Sequence, residues 1–334
     1  MLQAKNTISP MKLFSSLAIY LAILICCYSC ENSTASTEKL SIKENSKSEV
    51  KKTQALLLTQ AFDFDSSDKN KVTGDYVAQS QLIIPKNLST QNKWIMFEGP
   101  VLENDLVAYR YYADSRHRFD IYGKTVPDLV MDTVSWNYHD IMDWGSDILK
   151  VGNSLGLGSP AIWYENKIHT LSECDEKKIE ILKNNTNIST IRTTFKGLKI
   201  GEQKFDLIQD WSIEAGQAWS EIHLQVINAE LPKGMHFATG IVKHLPEIIQ
   251  GEIDECFYAM NWGRQSFHKE NMGMAIVADK KYQAKKIDDE LSHAYAFYNA
   301  KKEAKYRFLS AWERDLNQVK DAAAFKALVE QSVK

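Results

Sequence analysis

The chain has 334 residues, 44% of them hydrophobic and 25% charged, enough apolar material for a sizeable core. Its 40 lysines and arginines stand against 43 aspartates and glutamates, a formal net charge of -3. No broad basic field is available to neutralise phosphates, which excludes nucleic acid as a partner class.

At the N-terminus, Lys5 and Lys12 precede an apolar run over residues 13–27 that is too short and too early for an ordinary membrane span. Residues 1–29 read as a signal segment. The run ends in Cys27-Tyr28-Ser29-Cys30, which resembles a bacterial lipoprotein signal, with cleavage before Cys30 and lipidation of its thiol. Cys27 departs from that pattern, since such signals usually carry an aliphatic residue there; cleavage by an ordinary signal peptidase is the alternative. Residues 30–52 are rich in Ser, Thr, Lys and Glu and read as a flexible tether. The expectation is an exported protein, in the periplasm or at the cell surface of a bacterium, meeting the membrane only through a lipid anchor. Beyond Cys30 only Cys174 and Cys256 remain, either as a disulfide or as two separate thiols.

Residues 53–334 read as a single β-sandwich domain. Short segments of alternating apolar and polar residues predict strands over 55–62, 77–84, 93–97, 107–112, 118–122 and 161–164. The series continues over 177–182, 189–195, 204–213, 218–227, 236–243, 256–262, 274–277, 293–298 and 306–312. So many strands at short spacing predict an all-β fold, a large antiparallel sandwich. Helical turns are expected over 138–151, where Ile141, Trp144 and Ile148 would share a face. The one clear helix is expected over 316–333, packed on the outside of the sandwich through Ala322, Phe325, Leu328, Val329 and Val333.

Between Glu98 and Gly158 aromatics, carboxylates, basic residues and glycines are crowded together. Aromatic faces can lie against a pyranose ring while carboxylates, amides and Arg forks meet its hydroxyls and any acidic substituent. His139 is the first candidate for chemistry, as a proton acceptor beside Asp140, Asp143, Trp144 and Asp147. His244 ends the apolar run Ile241-Val242 at an expected sheet rim. Arg264 follows Asn261-Trp262-Gly263, so Trp262 and Arg264 offer a stacking face and a fork for a carboxylate. Arg110 and Tyr112 share one face of an alternating strand, with Tyr109 and Tyr111 on the other; Arg110 is a candidate carboxylate ligand and Tyr112 a candidate phenolic acid. Lys124 closes Tyr122-Gly123-Lys124 at an expected turn, where an ammonium could meet an acidic substrate. Asp143 and Trp144 complete the expected binding surface. Against each stands a structural role: a turn-satisfied histidine, a core-edge tyrosine, a solvated lysine.

No cofactor is expected. Asp105, Asp120, Asp143 and Asp147 leave room for a structural divalent cation, yet no calcium-type loop is present and no metal-ligand set is assigned. The run from Gly152 to Gly158 has neither the Lys-Ser/Thr ending of a phosphate loop nor a Gly-x-Ser-x-Gly elbow.

The order of motifs, from Glu98-Gly99-Pro100 through Asn104-Asp105-Leu106-Val107-Ala108-Tyr109-Arg110, Asp120-Ile121-Tyr122-Gly123-Lys124 and Tyr138-His139 to Asp143-Trp144-Gly145, resembles the family catalogued as domain of unknown function 4861. Thr239-Gly240-Ile241-Val242-Lys243-His244 and Ala311-Trp312-Glu313 extend the resemblance over most of the mature chain. Members of that family occur in polysaccharide utilisation loci. The resemblance implies a β-supersandwich of the galactose-mutarotase kind. It also implies a lyase, an oligosaccharide dehydratase of ulvan breakdown, that takes water from a terminal uronic acid to leave a 4,5-unsaturated sugar. No catalytic residue carries over from it one by one. The expected partner is an acidic oligosaccharide, with Arg110 or Arg264 on its carboxylate, His139 as base and His244 or Tyr112 as acid, the two directions being interchangeable. The alternatives are a polysaccharide lyase that cleaves the glycosidic bond, a mutarotase or epimerase, and a noncatalytic glycan-binding protein.

Overall fold

Alternating segments can bury one face only by stacking sheets, and the computed structural model, which describes residues 51–60 and 75–334, has this arrangement. All of these residues fall within the unit Ser48–Lys334. The expected signal segment, Cys30 and the tether up to residue 50 lie outside the described residues.

One layer is a nine-stranded antiparallel sheet. Its central strands, in spatial order, are Asn271–Asp279, Glu303–Trp312, Trp219–Val226, Gln203–Glu214 and Ile188–Ile200. The facing layer holds two five-stranded sheets. The first runs Thr53–Leu56, Val101–Asn104, Val107–Tyr111, Phe119–Lys124, Gly145–Asp147, and the second is built around His236–Val242 and Ser292–Phe297. Bridges from Phe119 to Gly156 and from Leu157 to Ile241 tie them together. The main core lies between the layers, where Trp211 meets Phe119 edge-on at 4.9 Å and Tyr109 meets Phe308 at 5.0 Å. The all-β antiparallel sandwich and its C-terminal helix are therefore both present.

The strand expected over 93–97 is not formed. Ile95 makes a single bridge to Thr59, and Met96–Glu98 turns as a 3-10 element with Phe97 and Glu98 at φ of 62° and 61°. A Cβ on Gly99 would sit 1.9 Å from the Tyr111 carbonyl oxygen, so only glycine lets the chain turn this close to its neighbour. Helical turns over 138–151 are also absent. Gly145, at φ 134°, presses on the Gly123 carbonyl and starts the short edge strand Gly145–Asp147. Strand Ile188–Ile200 outruns its expected end because a register shift between Phe195 and Leu198, with Gly197 at φ 57°, absorbs the break in alternation. Strands Lys167–Thr170, Ile249–Ile253 and Ala284–Ile287 were not legible, being sheet edges with little of the burial that imposes alternation.

The helix is Ala322–Gln331, shorter than expected. The Asp315 carboxylate accepts from the Trp312 and Asn317 amides and holds a turn, and Asp321 caps the helix by accepting from the Ala324 amide. Phe325 and Val329 then close over Tyr258, Met260, Ala275 and Leu309 on the outer face of the nine-stranded sheet. Cys174 and Cys256 are both free thiols.

Candidate functional site

Alternation along Val107–Tyr111 sends Tyr109 and Tyr111 into the core between the layers, where their hydroxyls meet Ser310 and Thr193. Arg110 and Tyr112 therefore emerge on the opposite face, in a second cluster with Phe97, Tyr122, Met131 and Tyr138. A guanidinium at 1% exposure has to find all its acceptors in the protein, and it does. Nε and Nη2 of Arg110 donate to Asp120 Oδ2 at 3.2 and 2.8 Å, and Nη2 also reaches Asp147 Oδ2 at 3.0 Å and the Tyr112 hydroxyl at 3.1 Å. Nη1 donates to the Phe97 carbonyl at 2.9 Å and the Tyr138 hydroxyl at 3.0 Å. Every donor of the fork thus has a protein acceptor. The expectation that Arg110 takes the substrate carboxylate is replaced by an organising role, because a saturated buried fork has nothing left to offer a ligand.

Two partly exposed groups, His139 and Arg116, lie over this base, with the buried Tyr112 ring against both arginines. The His139 imidazole, 55% exposed, sets Nδ1 3.3 Å from Asp147 Oδ2 and packs against Tyr138, with ring centroids 4.5 Å apart. Partial burial, then the Arg110 charge, hold its pKa below the usual histidine value, so the ring is neutral at neutral pH. With Nδ1–H given to Asp147, the lone pair of Nε2 is left for a ligand. The Tyr112 hydroxyl donates to Asp120 Oδ2 at 2.7 Å, and burial raises its pKa, so it holds its proton while Arg110 stands ready to meet a phenolate. Above it lies Arg116, its guanidinium 3.7 Å from the Tyr112 ring centroid. Nε and Nη2 of Arg116 are taken by Asp114 and Glu98, while Nη1 has no acceptor among the described residues. Burial, with Asp120 beside it, pushes the Asp147 carboxyl well up.

Of the carboxylates expected beside His139, Asp147 is the one that meets its ring; Arg116, Glu98 and Phe267 were not singled out for these roles from the sequence. Arg116 reads there as one more surface arginine after a turn; in the fold its fork lies over Tyr112 and meets Glu98, with Phe97, Glu98 and His117 in left-handed backbone around it. Phe267, 48% exposed, stands 5.8 Å from the His139 ring on the turn that follows strand Cys256–Arg264, an apolar face at the mouth of the site.

The other sequence candidates lie apart from this cluster. Lys124 is fully buried rather than at a surface turn, with Nζ 2.7 Å from Glu103 Oε1 and bonded to the carbonyls of Asn104 and Asp128. It pins a loop from within the fold, away from solvent. Trp262 packs on Phe325 at 5.8 Å and helps to dock the helix. Exposed Arg264 donates Nε to the Lys269 carbonyl, closing the turn that carries Phe267. Exposed His244 is 2.8 Å from the Lys150 carbonyl through Nε2 and does not touch His139 or Arg110. Trp144 leans on Tyr122 at 6.2 Å beneath the site, and Asp143 is exposed, its carbonyl accepting from Thr125. Among the described residues no group of three or more His, Cys, Asp or Glu is placed to hold a metal ion. Asp120 and Asp147 close on Arg110 instead, and Asp105 accepts from the Gly216 amide.

The family described as "Domain of unknown function (DUF4861)" matches residues 27–334, and the chain belongs to it. No curated protein matches the chain. Among solved structures, a putative aldose 1-epimerase from Klebsiella pneumoniae subsp. pneumoniae aligns over 84% of this chain and 95% of its own, at 9% identity and a TM-score of 0.37.

Proposed function

We propose that this member of the DUF4861 family is a carbon–oxygen lyase that eliminates water from a terminal uronic acid of an oligosaccharide, leaving a 4,5-unsaturated sugar. The observation that carries the reading is the His139–Asp147 pair set beside an Arg116 edge with a free donor and a Tyr112 hydroxyl backed by Arg110. Elimination needs these three elements. The C5 proton is acidic only next to a neutralised carboxylate, and Arg116 Nη1 is the group to neutralise it. His139 Nε2 removes the C5 proton, the C4–O bond breaks as the C4=C5 bond forms, and Tyr112 gives its proton to the departing hydroxyl, which leaves as water. The phenolate is met by Arg110 until the proton held by His139 returns. Phe267 offers a face to the sugar ring.

Mass spectrometry of saturated uronic-acid oligosaccharides, those of ulvan type first, tests this reading. Loss of one water at constant length supports it. Shortened, unsaturated products would move the same chemistry to a glycosidic leaving group. No mass change across a broad acidic-glycan panel would sink both and leave epimerisation or simple binding.

A pH profile gives a second check. The base works only when neutral, and its pKa is lowered, so kcat/KM should rise with pH along an acid limb whose midpoint lies below the ordinary histidine value of 6.5. A midpoint at or above 6.5 would remove His139 from the role.

Export and lipid anchoring through Cys30 complete the proposal, since an acidic oligosaccharide is met outside the cytoplasm. Labelling with a radioactive fatty acid in the native host, compared with Cys30→Ala, tests that part.

A further inference from the structure

On the other side of the turn that carries Arg116, a cavity of about 280 Å³ is lined by Ile84, Leu88, Ala113, Asp114, Cys174 and Lys177. It adjoins a second of about 470 Å³ through the shared Lys86, Glu173 and Cys174. Lys177 is 5% exposed, in strand Glu176–Asn184 opposite Ile84, with the Tyr111 and Phe195 rings 5.9 and 5.5 Å from Nζ. Buried lysines ordinarily pair with a carboxylate, because a desolvated charge without one is costly. This one does not. Nζ donates to the carbonyls of Ala113 and Asp114 at 3.0 and 3.3 Å, two acceptors for three ammonium protons.

The carboxylates around the cavity are turned to other cations. Asp114 holds Arg116, Glu173 lies 3.4 Å from Lys199, and Asp175 is shared by Lys204 and Lys86 at 2.8 and 4.0 Å. Burial raises the Cys174 thiol pKa, so it adds no thiolate at neutral pH. Burial also lowers the pKa of Lys177 to about 8, which still leaves the group mostly charged at pH 7.

We propose that the Lys177 cavity is an oxyanion-binding subsite, taking a carboxylate or sulfate group of a small organic anion on the third ammonium proton, with Lys86 at the entrance. The neighbouring cavity gives the remainder of that molecule a way in. Asp114 links the subsite to the candidate active site, since its carboxylate grips Arg116 while its carbonyl accepts from Lys177. The inference goes beyond the elimination reading and stands whether or not that reaction occurs.

Cys174 provides the readout, with Cys256 as an internal control in the same molecule. Iodoacetamide labelling of the full chain is followed by peptide mass spectrometry in sodium chloride, sodium sulfate or sodium acetate at matched ionic strength. Sulfate or acetate should slow Cys174 labelling about threefold at about twice its Kd, with Cys256 unchanged. Protection by sulfate alone assigns a sulfate ester and by acetate alone a carboxylate; either supports the subsite. Lys177→Met should abolish the protection. Equal rates in all three salts with the unaltered chain, or protection that survives in a folded Lys177→Met protein, would overturn the proposal. Should that variant not fold, the unaltered chain decides by itself.

Discussion

Replacing His139 with Gln is expected to lower kcat by about 10²–10⁴-fold, the usual worth of a positioned general base. Thermal stability should change little, within about 0.5 kcal/mol, because the side chain lies at the surface and fills no core space. The asymmetry between the two effects makes the test informative. Gln offers a planar polar group whose N–H can hydrogen-bond Asp147 but has no basic nitrogen, so binding through Arg116 and Phe267 should persist with KM close to its original value. Turnover of a confirmed substrate and the melting temperature are measured on the same preparation. An active His139→Gln protein would return this histidine to the structural role that its sequence context equally allowed.

Arg110→Met carries the largest expected effect on stability, about 3–5 kcal/mol. It leaves two carboxylates at 1% exposure, Asp120 and Asp147, without their cation. The loss should depend on pH. Burial and Asp120 already hold the Asp147 carboxyl above its ordinary 3.8, and removing Arg110 takes away the charge that opposes this. The folded variant then keeps a proton that the unfolded chain has given up. Its stability accordingly falls as pH climbs from the ordinary carboxylate value towards the raised one. Urea unfolding at pH 5 and pH 8 reads the difference, with the variant expected to be weaker at pH 8. Arg110→Lys should recover only part of the loss, since one ammonium cannot reach two carboxylates, two phenols and a carbonyl at once. A change below about 0.5 kcal/mol for Arg110→Met would mean that Arg110 is not what holds the cluster together.

Much of the sandwich was legible because burial of one strand face leaves a period of two in the residues, clearest in the long inner strands such as Gln203–Glu214. It faded at the edges, where both faces of Ile249–Ile253 meet solvent, and at the glycines. A Gly99 or Gly145 says that a backbone comes close without saying which one. The same limit governed the site. His139, Tyr112 and Arg110 stood out by type and neighbourhood, and alternation placed Arg110 and Tyr112 on one face. The saturation of Arg110 depended on Phe97, Tyr138 and Asp147, up to 37 residues away, and could not be read locally.

By itself the sequence determined the all-β class, the C-terminal helix, the family and the stretch that holds most of the candidate site. These follow from periodicity and from local order of residue types. The tertiary structure decided which charges are spent and which are free. Lys124 and Arg110 resemble ligand-binding cations in sequence, yet both are buried with their acceptors in place, whereas Arg116 keeps an open edge and Lys177 a donor without a carboxylate. The physical reason is that a charge's availability depends on desolvation and on partners brought together by sheet pairing and turns, and neither is encoded in the residues next to it.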